Sequence, residues 1–422
     1  MASVERGAKH GAGGPGGEAI AFGERLRILR TRRGMTREVL AGLLGRSDSW
    51  VKQVERGRLQ MPKLPMLLRI AEVLRVADLA ELTGDPAAGA VLFTGPSHPK
   101  LPAVRAAMDA FPEDGPGAAP AVEELRDRLR RAWAVRHASP HHRDAVGALL
   151  PSLIEDARRA AGQAESPAER RAAQAVLAQV YGLAQFFLAY QPDAALLWRA
   201  VERCTVAAHE SGDPHAVAVA AWLSAQAHRD SGHAHFDAAD AVTRAALRYL
   251  EPHLPDGGTE VLAMAGALRF EAAYTAARRG DKGDAWRHWD AAGAVARRLP
   301  ADSFHPVTSF SRAVMGAHAV TVAVELHAGG ESARQAAAAD ATRIPSRPRR
   351  ARHRIEAARG FQLAGRPDEA LSALHGAWEA APETIRYNGY ARRILLEESE
   401  VKSAGRRRRA CELAQRIGML SA

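Results

Sequence analysis

The chain reads as all-α and in two unequal parts, a short compact block of helices near the N-terminus and a long α-solenoid of paired helices behind it. Three observations carry this. Apolar residues recur at three- and four-residue spacing along most of the chain. No run alternates with the period of two that a strand needs. The interruptions are short Gly, Pro and Asp clusters, SGDP at 211–214, GDKGD at 280–284 and GRPDE at 365–369, which end one helix and start the next.

At 422 residues the chain exceeds one ordinary domain, and 47% hydrophobic residues suffice for a sizeable core. A quarter of the residues are charged and no stretch approaches the roughly 20 uninterrupted apolar residues of a spanning helix, so no membrane partner is expected. Two cysteines, Cys204 and Cys411, exclude a disulfide-stapled secreted module. Residues 1–17 lack the apolar centre of a secretory signal and read as a disordered tail on a cytoplasmic protein, whose thiols stay reduced. The net charge of +10 is compatible with nucleic acid, but an Arg-rich coding bias produces the same sum, so placement of the cations must decide.

After the tail, residues 18–83 form the compact block, 84–120 a Pro/Gly-interrupted linker with one short helix, and 121–422 the repeats. Five short helices fit the block. Ile20, Leu26 and Leu29 stripe the first. Thr36 caps the second, REVLAGLLG, whose Val39, Leu40, Leu43 and Leu44 are expected to face inward. Gly45 ends it, since glycine takes the left-handed conformation that lets the chain turn sharply. Ser47 is the natural N-cap of the third, SDSWVKQVERG, with Val51 and Val54 in the core and Gly57 closing it. Two short helices joined through a Gly-containing turn make a helix-turn-helix.

The pattern Thr36-Arg37-x-x-Leu40-Ala41-x-x-x-Gly45-x-Ser47-x-x-Trp50-Val51-x-Gln53-Val54-Glu55-Arg56-Gly57, followed by Pro62 and LLRIAEVL, resembles the Xre family of Cro and phage-repressor-type domains. The resemblance implies a five-helix lambda-repressor-like fold that binds double-stranded operator DNA. The domain order, with LPAVRAAM in the linker and ELAQRIGML near the end, is similar to Xre-type regulators with tetratricopeptide-like C-terminal regions common in actinobacteria.

An α-helix fits the major groove, where its N-terminal residues reach base edges, and its free N–H groups attract phosphate. With Val51 and Val54 committed to the core, the outward residues are Asp48, Ser49, Lys52, Gln53 and Arg56. Gln53 suits adenine, Lys52 guanine or phosphate, Ser49 several bases, and Asp48 a cytosine amino group or the helix cap beside Ser47. Arg37, Ser47, Arg56 and Arg58 lie where flanking phosphates would run and would position the domain without reading sequence. Trp50 is expected to pack on the second helix, and Glu55 to hold geometry by pairing with Arg56 or another arginine of the domain.

In the long remainder, Ala370, Leu374 and Ala377 form a small-large-small stripe. Ala273 with Ala285, Trp289 and Ala292 repeats it around GDKGD, and Ala238, Val242 and Ala245 give a weaker copy. With a repeat length of roughly 34 to 45 residues, these stretches resemble tetratricopeptide repeats. A solenoid offers a concave surface, and Arg269, Glu271, Tyr274, Arg312, His318 and Arg359 are candidates to line an effector groove.

Gly11-x-Gly13-x-x-Gly16 matches a dinucleotide fingerprint by letter, but no strand precedes it. No phosphate-loop, nucleophile-elbow or zinc-protease motif occurs, and the histidine groups around His137 and His233 lack thiol partners, so no cofactor, metal or catalysis is expected. The sequence thus points to a DNA-binding transcriptional regulator acting as a homodimer. Its repeats would mediate dimerisation and sense a peptide, small molecule or protein; the peptide is suggested by resemblance to peptide-responsive regulators of the same domain order. An interaction scaffold with a vestigial helix-turn-helix is the alternative.

Overall fold

The structure is a computed structural model describing residues 21–62, 64–74, 76, 79–84, 97–111 and 118–419. The expected tail at 1–17, Ile20 and much of the 84–120 linker lie outside these residues. Among the described residues there are helices and no strands, and no helix is long and apolar enough to cross a membrane.

The N-terminal domain holds α1 (Phe22–Arg32), α2 (Arg37–Leu44), α3 (Asp48–Glu55), α4 (Leu64–Val73) and α5 (Leu79–Thr83). Local chemistry sets the turn between α2 and α3. The Thr36 hydroxyl accepts from the Val39 N–H, Gly45 sits at φ 63°, and the Ser47 hydroxyl accepts from the Trp50 N–H. Leu26, Leu40, Leu44, Val51, Val54, Ile70, Leu74, Leu79 and Leu82 fill the core. One inward expectation fails: Val39 is 49% exposed. It lies in the first turn, three residues past the Thr36 cap, and the inward stripe of this two-turn helix runs through Leu40, Ala41 and Leu44 instead. Gly23 is needed where α1 crosses α3, because a Cβ there would lie 2.4 Å from the Val54 carbonyl oxygen.

The remainder begins earlier than its repeats. Helix α6 (Leu101–Asp109), expected as a short helix within the linker, buries Leu101, Val104, Ala107 and Met108 in the same core as the solenoid. Twelve helices then alternate between two layers. The first layer is α7 (Val122–Ala138), α9 (Pro167–Leu188), α11 (Pro214–Asp230), α13 (Gly258–Arg279), α15 (Met315–Glu325) and α17 (Arg347–Leu363). The second is α8 (His142–Gly162), α10 (Ala194–Ser211), α12 (Phe236–Leu250), α14 (Lys282–Arg298), α16 (Gly329–Ala338) and α18 (Pro367–Ala380). Each first-layer helix touches the next one in its own layer, which is solenoid packing. Helices α19 (Pro382–Arg386), α20 (Gly389–Ser399) and α21 (Ala404–Arg416) join α17 and α18 in a separate C-terminal core.

The predicted stripes are present with one shift of register. Ala370, Leu374 and Ala377 are buried, as are Ala273, Ala285 and Ala292. On α12 the buried set is Ala239, Thr243 and Ala246, one residue beyond the Ala238, Val242 and Ala245 expected. In an alanine-rich helix neighbouring registers look alike, and here the large Phe236 anchors the choice by burying at the helix start.

The solenoid closes on itself. Helix α17 packs against α7, so the first layer forms a ring of six helices. At the seam His137 bridges the Ser346 hydroxyl at 2.9 Å and the Pro306 carbonyl at 2.8 Å. His142 meets the Thr384 hydroxyl at 2.9 Å, and the Glu383 carboxylate accepts from the first N–H groups of α8, on Arg143 and Asp144. A carboxylate on a helix N-terminus is stabilising there.

Candidate nucleic-acid interface

The helix-turn-helix places α3 with its apolar side inward and its polar side outward. Val51 and Val54 are buried, and Ser47, Asp48, Ser49, Lys52, Gln53, Arg56 and Arg58 are all exposed. Asp48, Ser49, Lys52 and Gln53 recur at the three- and four-residue spacing of one helix face. The Gln53 amide donates to the Ser49 hydroxyl at 3.1 Å, one turn apart on the helix, so the two side chains present a joined polar edge. The N-termini of α2 and α3 open on a shared depression lined by Arg30, Thr36, Arg37, Glu38 and Asp48. Free N–H groups and the arginines make its rim attractive to an anion, while Glu38 and Asp48 oppose that attraction.

Glu55 is the structural hub of this domain, through partners other than Arg56. Its buried carboxylate takes Arg30 Nε at 2.6 Å on one oxygen and Arg37 Nε at 2.6 Å on the other. Arg30 also donates to the Met35 carbonyl at 2.6 Å, so one carboxylate ties α1, α2 and α3 together. Arg37, expected only as a phosphate contact, is therefore held by an ion pair while its side chain stays 37% exposed. Several arginines of α1 and α2 were open to Glu55, and separations of 25 and 18 residues gave no local signal for the two it takes. Trp50 is half-buried against the core, with the Arg46 guanidinium over its ring at 5.6 Å.

A further surface of the domain, on α4, meets the repeats and the C-terminal helices. On α4, Glu72 accepts from Arg359 at 3.2 Å and from Arg393, and Arg69 lies 3.8 Å from Glu397 on α20. Arg359 and Arg393 are 3% and 4% exposed at their side chains, so the pair is desolvated on the repeat side. The main helix-to-helix contact between the domain and the C-terminal helices, among the described residues, is that of α4 with α20.

The expected effector groove is not an open concave surface. Tyr274, His318 and Arg359 lie inside the ring: His318 stacks on Phe270 at 3.5 Å, Arg359 bonds Glu325 and Glu356 at 2.7 Å each, and Arg352 reaches the Tyr274 hydroxyl at 3.5 Å. Glu271 is paired with Arg229 there. Burial opposes the charge on Glu325, but Arg359 and Arg278 outweigh it and hold its pKa at about 2. Arg312 is elsewhere: it donates to the Ala296 and Arg297 carbonyls and caps the end of α14. Arg269 also stands apart, its charge acting on His288 of α14. The groove residues thus split between a filled interior and two outer positions. Among the described residues no group of three or more His, Cys, Asp or Glu is placed to hold a metal ion.

No curated protein matches the chain. Among solved structures, the crystal structure of Bacillus thuringiensis PlcR in complex with the peptide PapR7 and DNA matches at 12% identity over 84% of this chain and 98% of that one. The TM-score is 0.29, too low a likeness to assign this chain anything from that complex. Residues 21–83 match the family model described as a helix-turn-helix domain, and with the capped α2 and α3 and the glycine turn between them, the N-terminal domain of this chain is a helix-turn-helix domain.

Proposed function

We propose that this chain is a sequence-specific transcriptional regulator of the Xre type, acting in the cytoplasm as a homodimer on double-stranded DNA and answering to an effector held by its repeats. The observation that carries the reading is the exposure of the polar side of α3 while the repeats dock on α4, leaving the groove-reading face free. Asp48, Ser49, Lys52 and Gln53 read bases; Arg37, Ser47, Arg56 and Arg58 hold phosphates. Two copies would place two α3 helices in successive major grooves, about 34 Å apart. Control would act through the α4 contact, since a ligand favouring one placement of the domain shifts the population of DNA-competent dimers.

The test is selection of bound genomic fragments followed by anisotropy titration across a salt series. Log affinity should fall linearly with log salt. Gln53→Ala should relax preference at one base position by about 1–3 kcal/mol, and Arg58→Ala should weaken all sequences alike and reduce the salt slope by about 1. If no fragment is retained at low ionic strength, the chain is an interaction scaffold with a vestigial helix-turn-helix.

A further inference from the structure

The seam of the ring gathers more positive charge than the protein neutralises. Arg136 of α7 lies over the Phe186 ring at 4.3 Å and the Trp133 ring at 5.5 Å, with no carboxylate in ion-pair reach among the described residues. Among the described residues the Arg349 guanidinium of α17 meets only the His318 ring nitrogen, at 2.7 Å, and its buried Nε has no acceptor. Arg143 points at the same place, donating to the Phe186 and Phe187 carbonyls. Arg352 reaches the Tyr190 hydroxyl at 2.6 Å and Glu356 at 2.6 Å. The Tyr190 ring has Arg143 on it at 6.0 Å and Arg352 at 5.8 Å, so the guanidinium groups converge.

Two carboxylates are near, and both are engaged. Glu356 binds Arg352 and Arg359, and Glu383 caps α8. A partly desolvated cation without a counter-charge is costly, and proteins rarely keep one for stability. Burial, then the charges of Arg143 and Arg349, pull the Arg136 guanidinium down to about 9; burial and Arg352 pull Arg349 down to about 10. Tyr190 adds a third sign. It is one of three non-glycine residues with positive φ among the described residues, at 65°, and it is 40% exposed. Strain of that kind costs about 1–3 kcal/mol and collects where a side chain must be aimed. Here it holds the phenol between two arginines.

We propose that the ring seam is a binding site for an anionic ligand, one bearing a carboxylate or phosphate group held between Arg136 and Arg349, with Arg352 and the Tyr190 hydroxyl beside it. The partly buried Phe186 ring would take the ligand's apolar flank. This deepens the effector reading above, and rests on it only for any effect on DNA affinity.

The experiment follows the thermal midpoint of the full chain against inorganic phosphate in one arm and glutarate in the other, each at constant ionic strength made up with chloride. Wild type, Arg136→Met and Arg349→Gln are compared. The site predicts a midpoint that rises with the logarithm of anion concentration in wild type, an apparent affinity roughly tenfold or more weaker in each variant, and a ligand-free Arg136→Met midpoint equal to or above wild type. The arm that responds identifies the anionic group. An equal response in all three proteins, as general salt exclusion gives, overturns the proposal. So does no response beyond chloride, or an Arg136→Met midpoint well below wild type, which would make the arginine structural. Fragment binding is measured without added anion: a chain that binds no DNA but keeps the Arg136-dependent shift loses the regulator reading and retains this site, and the reverse result sinks the site alone.

Discussion

Replacing Glu72 by glutamine should release the helix-turn-helix domain from the ring. The Glu72 carboxylate, 14% exposed, serves two arginines that are more deeply buried than itself. Removing one partner of a buried pair costs about 3–5 kcal/mol because the other charge is stranded. Here the two arginines lose unequally. Arg359 retains Glu325 and Glu356, each at 2.7 Å, so its share is small. Among the described residues Arg393 retains the Gln362 amide oxygen at 3.0 Å and the nearby charge of Glu397, and burial already lowers its pKa. The loss therefore falls near the low end, about 3 kcal/mol, and undocking relieves it by letting water reach Arg393. That is a shift of roughly a hundredfold in the docking equilibrium. Amide hydrogen exchange in Leu64–Val73 and Gly389–Ser399 reads it directly, since both helices lose their cover together. Protection in α20 unchanged within a few-fold would refute the reasoning. A double-mutant cycle with Arg393→Gln, which removes the stranded charge as well, should recover part of the loss.

Three further outcomes follow from the same structure. Glu55→Gln removes the counter-charge of Arg30 and Arg37 and should destabilise the N-terminal domain by about 3 kcal/mol in urea, with fragment affinity falling in parallel; an unchanged midpoint would mean the arginines are satisfied by water. Gly45→Ala forces a side chain into the left-handed region at φ 63°, although nothing crowds it, and should cost about 1–2 kcal/mol by thermal unfolding. His137 is held neutral, near a pKa of about 4, by burial and then by Arg136. The unfolded chain therefore takes up a proton below pH 6.5 that the folded one refuses. Stability should fall from pH 6.5 toward 4 by about 3 kcal/mol for this group, and His137→Gln should flatten that limb if the reasoning holds.

Where structure is set by neighbours in sequence, it was legible. Thr36, Gly45 and Ser47 each act within three residues, through a hydroxyl on an N–H or a positive φ, and all three do what their chemistry requires. The Ala370, Leu374 and Ala377 stripe likewise needs only one helix and its partner. The failures are of longer range. The register of α12 depended on Phe236 outweighing a run of interchangeable alanines. Glu55 does pair with arginines of its domain as expected, but the choice of Arg37 and Arg30, 18 and 25 residues away, needed the fold. Ring closure joins His137 to Ser346 across 209 residues. A repeat pattern fixes how each pair meets the next, but curvature accumulates from small rotations that no single repeat encodes. An open groove was the natural expectation; Glu271, His318 and Arg359 are instead buried, while Arg312 stays exposed.

Closure also explains why the two parts of the chain meet through charge. Helix α4 spends its apolar side on its own domain, burying Leu67, Leu68, Ile70 and Ala71, so its remaining face offers Arg69 and Glu72. At the facing end of the ring, Arg359 is shared by Glu325 and Glu356, while buried Arg393 has the charge of Glu397 nearby. Glu72 supplies a further carboxylate to both arginines, so docking adds a counter-charge to cations the ring has already buried. Contacts of this polar kind between domains are the ones that open and close. Because Arg359 bonds Glu72, Glu325 and Glu356 at once, and Glu356 also bonds Arg352, a shift of charge at the seam bears on the hold over α4 through two side chains of α17. Whether that hold has two settings is what the Glu72 exchange experiment measures, and a single rigid setting would leave the helix-turn-helix with no route by which the ring could govern it.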